Sequence, residues 1–113
     1  MPLSENDSAY LWDIDDACND IIQFIENTSY RDFENNKMKR FAVERQLLVI
    51  GEAANHLSDE CRNSNPDIPW KLMIGLRNII AHDYGEVLVN RIYKIATENV
   101  IDLKNDIRKM INS

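Results

Sequence analysis

Apolar residues recur at helical intervals along almost the whole chain. Across residues 8–27, Ile14, Cys18, Ile21 and Ile25 follow steps of four, three and four, while Asp13, Asp15, Asp16, Asp20 and Glu26 occupy other faces. This spacing predicts a first amphipathic helix, N-capped by Asp7 or Ser8, with its early carboxylates at the positive end of the helix dipole. Residues 28–36 are polar and read as a connection, with Asn35 or Asn36 placed to cap the next helix. Over residues 37–57, Val43, Leu47, Ile50, Ala54 and Leu57 form one apolar stripe, and Met38, Phe41 and Leu48 contribute to a second. A helix with two apolar faces needs two partners: the core of its own chain for one, and a candidate surface for self-association for the other. Gly51 lies inside this pattern, where it costs about 1 kcal/mol relative to alanine, and a close helix crossing would account for it.

The one concentrated run of helix breakers is Asn-Ser-Asn-Pro-Asp-Ile-Pro at residues 63–69, which is too short for a domain linker. Pro69 suits the first turn of a third helix carrying Trp70, Met73, Ile74, Leu76 and Ile80 to about Ala81, ahead of a break around Tyr84 and Gly85. Helical spacing returns over residues 86–111 through Ile92, Ala96, Leu103, Ile107 and Met110, predicting a long fourth helix. The expectation is an all-α, up-and-down bundle of four to five helices that forms a single domain over residues 1–113.

Composition narrows the class. The chain has 113 residues, 44% hydrophobic and 28% charged, with three glycines and three prolines, values that disfavour collagenous, disordered and turn-rich β classes. No apolar run approaches the roughly 18–20 residues that cross a bilayer, and residues 1–7 lack the basic-then-apolar order of a signal peptide, so a cytoplasmic protein without a membrane partner is expected. Cys18 and Cys61 stand apart with no CxxC or Cys/His cluster, and both read as reduced structural thiols. The net charge of −6 argues against a generic nucleic-acid coat, but the charge is segregated. Residues 1–36 hold nine acidic and one basic side chain, whereas residues 37–113 hold ten acidic and twelve basic. A locally neutral or basic site is therefore compatible with the later part of the chain.

The densest chemistry lies at residues 75–84, Gly-Leu-Arg-Asn-Ile-Ile-Ala-His-Asp-Tyr. Metal-free RNA cleavage needs a base for the ribose 2′-OH, an acid for the leaving 5′-oxygen and a cation for the phosphorane. Histidine suits the first two tasks and arginine the third. On one straight helix Arg77 and His82 are about 140° apart, so a shared site requires the helix to end or distort near His82, or a second copy to supply complementary groups. Spacing alone fits a plainer reading equally, in which arginine and histidine satisfy carbonyls at a helix end and Tyr84 is a half-buried aromatic.

Arg77 through Tyr84 matches the RX4HXY signature of the HEPN superfamily in the version of the HepT-like toxins. Residues 43–54 (Val-Glu-Arg-Gln-Leu-Leu-Val-Ile-Gly-Glu-Ala-Ala) and 68–78 (Ile-Pro-Trp-Lys-Leu-Met-Ile-Gly-Leu-Arg-Asn) also resemble that family's second and third helices. The resemblance implies a helical, homodimeric or higher-oligomeric, metal-independent endoribonuclease with no cofactor, acting on RNA as the toxin of a toxin–antitoxin pair. It implies a minimal nucleotidyltransferase of the MntA type as antitoxin, which uses ATP to place AMP on the signature tyrosine. By the same resemblance Arg77 and His82 are the catalytic pair, Tyr84 is the AMP acceptor, and Asn78 orients groups or contacts RNA. AMP on Tyr84 would add a phosphate and a bulky adenosine two residues from His82, blocking the cleft and competing for Arg77.

Other polar positions have two readings each. Asp83 either holds the His82 ring, with a role in orienting or contacting RNA, or faces solvent. Glu52 either reaches Arg77 as a supporting partner or is a solvated or interface carboxylate. His56, Glu60 and Cys61 lack metal-ligand spacing, so no metal is expected. Lys37, Lys39, Arg40 and Arg45 either guide RNA along the second helix or form a solvated face. Asp13, Asp15 and Asp16 offer an acidic docking face for a basic partner. The alternative to an enzyme is a non-catalytic module that docks a nucleotidyltransferase, a reading favoured by the overall acidity.

Overall fold

The computed structural model describes residues 3–113. Met1 and Pro2, which begin the segment read above for a leader pattern and the 1–113 domain span, lie outside the described residues. The described chain is all helical: α1 (Glu5–Ile25), α2 (Tyr30–Glu34), α3 (Lys37–His56), α4 (Asp59–Asn63), α5 (Trp70–His82), α6 (Gly85–Lys94), a π-helical turn (Ile95–Asn99) and α7 (Val100–Asn112). The four expected helices correspond to α1, α3, α5 and the continuous run from α6 to α7. In the bundle α3 packs between α1 and α5, and α7 lies along α1. The stripe Val43, Leu47, Ile50, Ala54 and Leu57 is buried as its period requires, together with Leu11, Ile14, Cys18 and Ile21 from α1 and Ile92, Ala96, Leu103, Ile107 and Met110 from the C-terminal run.

Local expectations needed correction at three places. The cap of α1 is Ser4, whose side chain accepts from the Asp7 amide at 3.0 Å; neither Asp7 nor Ser8 serves, and the helix starts earlier. The connection at residues 28–36 contains α2, capped by Ser29, and carries the fully buried Phe33, while Asn36 caps α3. The fourth helix widens at Ile95–Asn99, where the Val100 amide bonds to the Ile95 carbonyl. From Ile92 to Ala96 to Val100 the buried positions advance by fours, overrunning a 3.6-residue repeat, and the wider turn absorbs the excess. Thr97 Oγ1 donates to the Tyr93 carbonyl at 2.8 Å within that turn.

Long-range polar contacts lock the bundle. Asp15 is only 1% exposed and accepts from Arg108 Nε at 3.2 Å and Nη2 at 2.8 Å, a two-pronged tie between α1 and α7. Asp15 is thus withdrawn from the expected acidic docking face, while Asp13 and Asp16 remain exposed. The connection after α1 is fixed at Thr28, whose carbonyl accepts from the Tyr93 hydroxyl at 2.7 Å and whose Oγ1 accepts from Lys39 Nζ at 2.8 Å. Cys18 and Cys61 are buried free thiols; burial, reinforced by Asp15, pushes Cys18 up to about 12, and burial also raises Cys61. Such thiols are unreactive at neutral pH.

At the end of the bundle, the Asp7 carboxylate accepts from Ser58 N at 2.9 Å and Ser58 Oγ at 2.7 Å, joining α1 to the cap of α4. Burial raises the pKa of Asp7, but these bonds outweigh it and hold the group below its ordinary 3.8. A depressed carboxylate contributes stability that is complete above the unfolded pKa and disappears as pH falls through the folded one. Asp7→Asn is therefore expected to be less stable than the parent at neutral pH. Urea titrations from pH 7 to about pH 2 should show that difference shrinking below about pH 4.

Two helical glycines make opposite predictions. A Cβ on Gly51 would lie 2.8 Å from the Met73 carbonyl oxygen, so α3 and α5 cross there at backbone contact, as the sequence pattern anticipated. A Cβ on Gly75, in α5, would meet nothing within 4 Å. Gly51→Ala should lower the unfolding free energy by about 1–3 kcal/mol through overpacking, whereas Gly75→Ala should raise it by up to about 1 kcal/mol through helix propensity. Denaturant titration of the two variants reads both signs.

Candidate functional site

The residues at 77–84 occupy the end of one helix and the start of the next. Helix α5 runs without interruption to His82, its last residue; Asp83 then turns extended, with ψ at 150°, and its amide bonds to the Ile79 carbonyl at 3.0 Å. Tyr84 is extended as well and precedes α6, which opens at Gly85 with φ at +56°, a left-handed conformation that glycine adopts without a Cβ penalty. Two non-helical residues thus separate the helices. This places Arg77 and Asn78 on α5, His82 at its tip and Tyr84 on the connection.

Arg77, Asn78, His82 and Tyr84 are exposed, with Tyr84 at 78%, and none makes a side-chain hydrogen bond or ion pair among the described residues. The plainer reading of these side chains, with Arg77 and His82 bonded to carbonyls at the helix end and the Tyr84 ring half-buried, is not what the structure contains. Asp83 differs: its Oδ2 lies 2.9 Å from Arg91 Nη1 on α6, so it neither holds the His82 ring nor stands free in solvent. That ion pair ties the connection after α5 to α6.

Arg77 borders an open groove of about 380 Å3 between α1, α3 and α5, and His82 is not part of its wall. The helix ends at His82 itself, so the end comes too late to bring the imidazole around to Arg77. At 100° per residue the two side chains leave α5 about 140° apart. Within one chain, guanidinium and imidazole therefore point away from α5 in different directions.

The groove gathers side chains that the motif did not point to. Arg45, Glu52 and His56 come from α3, Tyr10 and Asp13 from α1, and Leu48, Val49 and Ala53 complete the lining. Glu52 Oε1 is 3.4 Å from His56 Nε2 and forms no ion pair with Arg77, although both border the groove. The His56 ring stacks on Tyr10, with centroids 5.3 Å apart and planes 18° from parallel. A signal existed for the α3 side: positions 45, 49, 52 and 56 follow steps of four, three and four and share a face. Nothing in the local sequence indicates that α1 would bring Tyr10 to that face. No three His, Cys, Asp or Glu side chains converge as a metal site among the described residues, and no helix there is long and apolar enough to cross a membrane.

The part of the chain that contains this site has relatives with ribonuclease names. The chain is 41% identical over 99 residues to "Putative RNase MJ1380" of Methanocaldococcus jannaschii, covering 88% of this chain and 91% of that one. It is 34% identical over 101 residues to "Probable ribonuclease HepT" of Thermococcus cleftensis, covering 89% and 92%. To "Putative RNase TTE0752" of Caldanaerobacter subterraneus it is 28% identical over 102 residues, covering 90% and 91%. No solved structure matches. The ribonuclease HepT-like family model matches residues 14–110, which span α3, α5 and the whole Arg77–Tyr84 segment, and the chain belongs to that family.

Proposed function

We propose that this protein is a metal-independent endoribonuclease toxin whose active site forms between two copies of the chain. The observation that carries the reading is the exposure of Arg77 and His82 without protein partners in a member of the ribonuclease HepT-like family. Their divergence on α5 is resolved when the imidazole of one copy meets the guanidinium of the other. An apolar face of α3, where Met38 is 84% and Phe41 54% exposed, supports that pairing. Together with Leu48, which borders the groove, these are the positions whose spacing calls for a second apolar partner.

In the proposed reaction a base removes the proton from the ribose 2′-OH, and the 2′-oxygen attacks the adjacent phosphorus. The 5′-oxygen leaves with a proton from an acid, giving a 2′,3′-cyclic phosphate and a 5′-hydroxyl. His82 from the two copies divides the proton transfers, and Arg77 binds the equatorial oxygens of the phosphorane. Asn78, one residue from Arg77, orients the phosphate or contacts RNA. Asp83 contributes by fixing the α5–α6 connection through Arg91, and Glu52 supports the groove beside Arg77.

The partner in this reading is a minimal nucleotidyltransferase antitoxin that transfers AMP from ATP to Tyr84 Oη and releases pyrophosphate. The high exposure of Tyr84 on a two-residue connection supports access by a second enzyme. One experiment tests the whole proposal: incubate the protein with RNA in EDTA, alone and after co-expression with such a transferase, and measure intact mass. Cleavage by the unmodified protein is expected, and loss of cleavage should accompany the mass of AMP mapped to Tyr84. An unmodified protein that cleaves no RNA overturns the enzyme, and a neutralised complex with bare Tyr84 overturns the AMP switch.

A further inference from the structure

We propose that the groove between α1, α3 and α5 is a subsite for single-stranded RNA, in which a base stacks on the Tyr10–His56 ring pair while Arg45 and Arg77 hold the backbone phosphates. The inference rests on the ribonuclease reading, because Arg77 belongs to both, and extends it to residues outside the signature.

The arginines make the first argument. Arg40 donates to the Glu34 carbonyl, and Arg62, Arg91 and Arg108 pair with Asp59, Asp83 and Asp15. Among the described residues the side chains of Arg31, Arg45 and Arg77 have no hydrogen bond or ion pair, and two of these three border the same groove. Two unpaired guanidinium groups facing one opening form a phosphate-binding arrangement in an otherwise acidic protein.

The rings make the second. Stacking uses one face of Tyr10 and one of His56, and the His56 side chain is about half exposed, leaving ring surface for a further π-system. Unpaired bases stack on aromatic and histidine rings in this manner, and stacking tolerates any base. Glu52, 3.4 Å from Nε2, is the positioning residue for the ring.

Charge then sets the direction of the strand. The two cations stand on α3 and α5, where the one carboxylate of that side, Glu52, lies against His56, whereas Asp13 stands on the α1 wall beside Tyr10. Phosphates are therefore favoured along the α3–α5 side and bases toward α1. Arg45 and His56 are eleven residues apart on α3, roughly 16 Å along its axis, so the subsite holds a short strand. This places the nucleotides flanking the cleaved bond over the ring stack.

The test uses the full-length protein and a fluorescein-labelled 2′-O-methyl RNA hexamer, which lacks the attacking hydroxyl and cannot be cleaved. Fluorescence anisotropy should show His56→Ala weakening binding about tenfold, with His56→Phe restoring it. Arg45→Ala should weaken binding and reduce its logarithmic salt slope by about one. Arg31→Ala, outside the groove, should bind as the parent does. Circular dichroism and sedimentation check folding and oligomeric state. Equal binding by the parent, His56→Ala and Arg45→Ala overturns the proposal, as does a parent that fails to bind. A changed oligomeric state in either variant assigns the groove to a protein interface and also overturns it. If the parent cleaves unmodified RNA while its groove variants bind normally, the subsite fails and the ribonuclease stands. If binding depends on His56 and Arg45 but no RNA is cleaved, the ribonuclease fails and the subsite stands.

Discussion

His82→Ala should reduce RNA cleavage by about 10²–10⁴-fold, the usual consequence of removing a proton-transfer group. Arg77→Ala should reduce it by about 10²–10³-fold, as expected for losing a group that stabilises transition-state charge. Neither side chain is buried or paired within the chain, so both variants should unfold within about 0.5 kcal/mol of the parent. Arg77→Lys retains the charge but not the two-pronged guanidinium, and should recover only part of the loss. The sharper measurement mixes His82→Ala with the parent chain. If the two copies' His82 side chains divide the proton transfers in one shared site, a mixed dimer holds a single imidazole and its cleavage falls toward that of the His82→Ala dimer. If each chain carried a complete site of its own, a mixed dimer would keep one intact site and a substantial part of the parent activity. Unimpaired cleavage by both single variants would remove the catalytic pair altogether and place the reaction on other residues, whereas a parent that cleaves no RNA would leave the non-catalytic docking module as the account of the fold.

Phe33→Ala should destabilise the protein by about 3–5 kcal/mol, as truncation of a fully buried phenylalanine does. Phe33 has no exposed surface, and its ring centroid lies 5.4 Å from that of Tyr93. Tyr93 in turn packs edge-on against Tyr30 and donates to the Thr28 carbonyl, so one ring anchors the connection between α1 and α3 against the C-terminal run. The loss is a large part of the roughly 5–15 kcal/mol that keeps a domain folded. Urea titration by circular dichroism measures it, and a variant within about 1 kcal/mol of the parent would show that the surrounding rings collapse into the cavity. Phe33→Leu, which retains much of the volume, should cost distinctly less.

The contrast between these positions shows where the sequence was legible. Arg77, His82 and Tyr84 were found because a signature is local, with its spacing written in consecutive residues. Phe33 was missed because α2 is five residues long, too short for a helical repeat to appear. Its burial depends on Tyr93, sixty positions later. The candidate groove divides in the same way. Arg45, Glu52 and His56 share a helical face that can be counted from the sequence, but the approach of Tyr10 and Arg77 depends on how α1 and α5 lie against α3.

By itself the sequence determined that the chain would be helical, where the long helices would run, which stripe of α3 would be buried and why Gly51 sits at a crossing. It also marked the segment proposed to carry the chemistry. Helical burial repeats every 3.6 residues, so each of these features is encoded within a few turns of its own helix. Only the tertiary structure decided that Asp15 leaves the acidic surface to meet Arg108, that Asp83 serves Arg91 rather than His82, and that His56 stacks on Tyr10 beside the groove bordered by Arg77. The approach of Tyr10 and Arg77 to α3 and the pairing of Asp15 with Arg108 depend on how separate helices dock, and even the short steps from Asp83 to Arg91 and from Glu52 to His56 are choices among competing partners. Local periodicity sets neither.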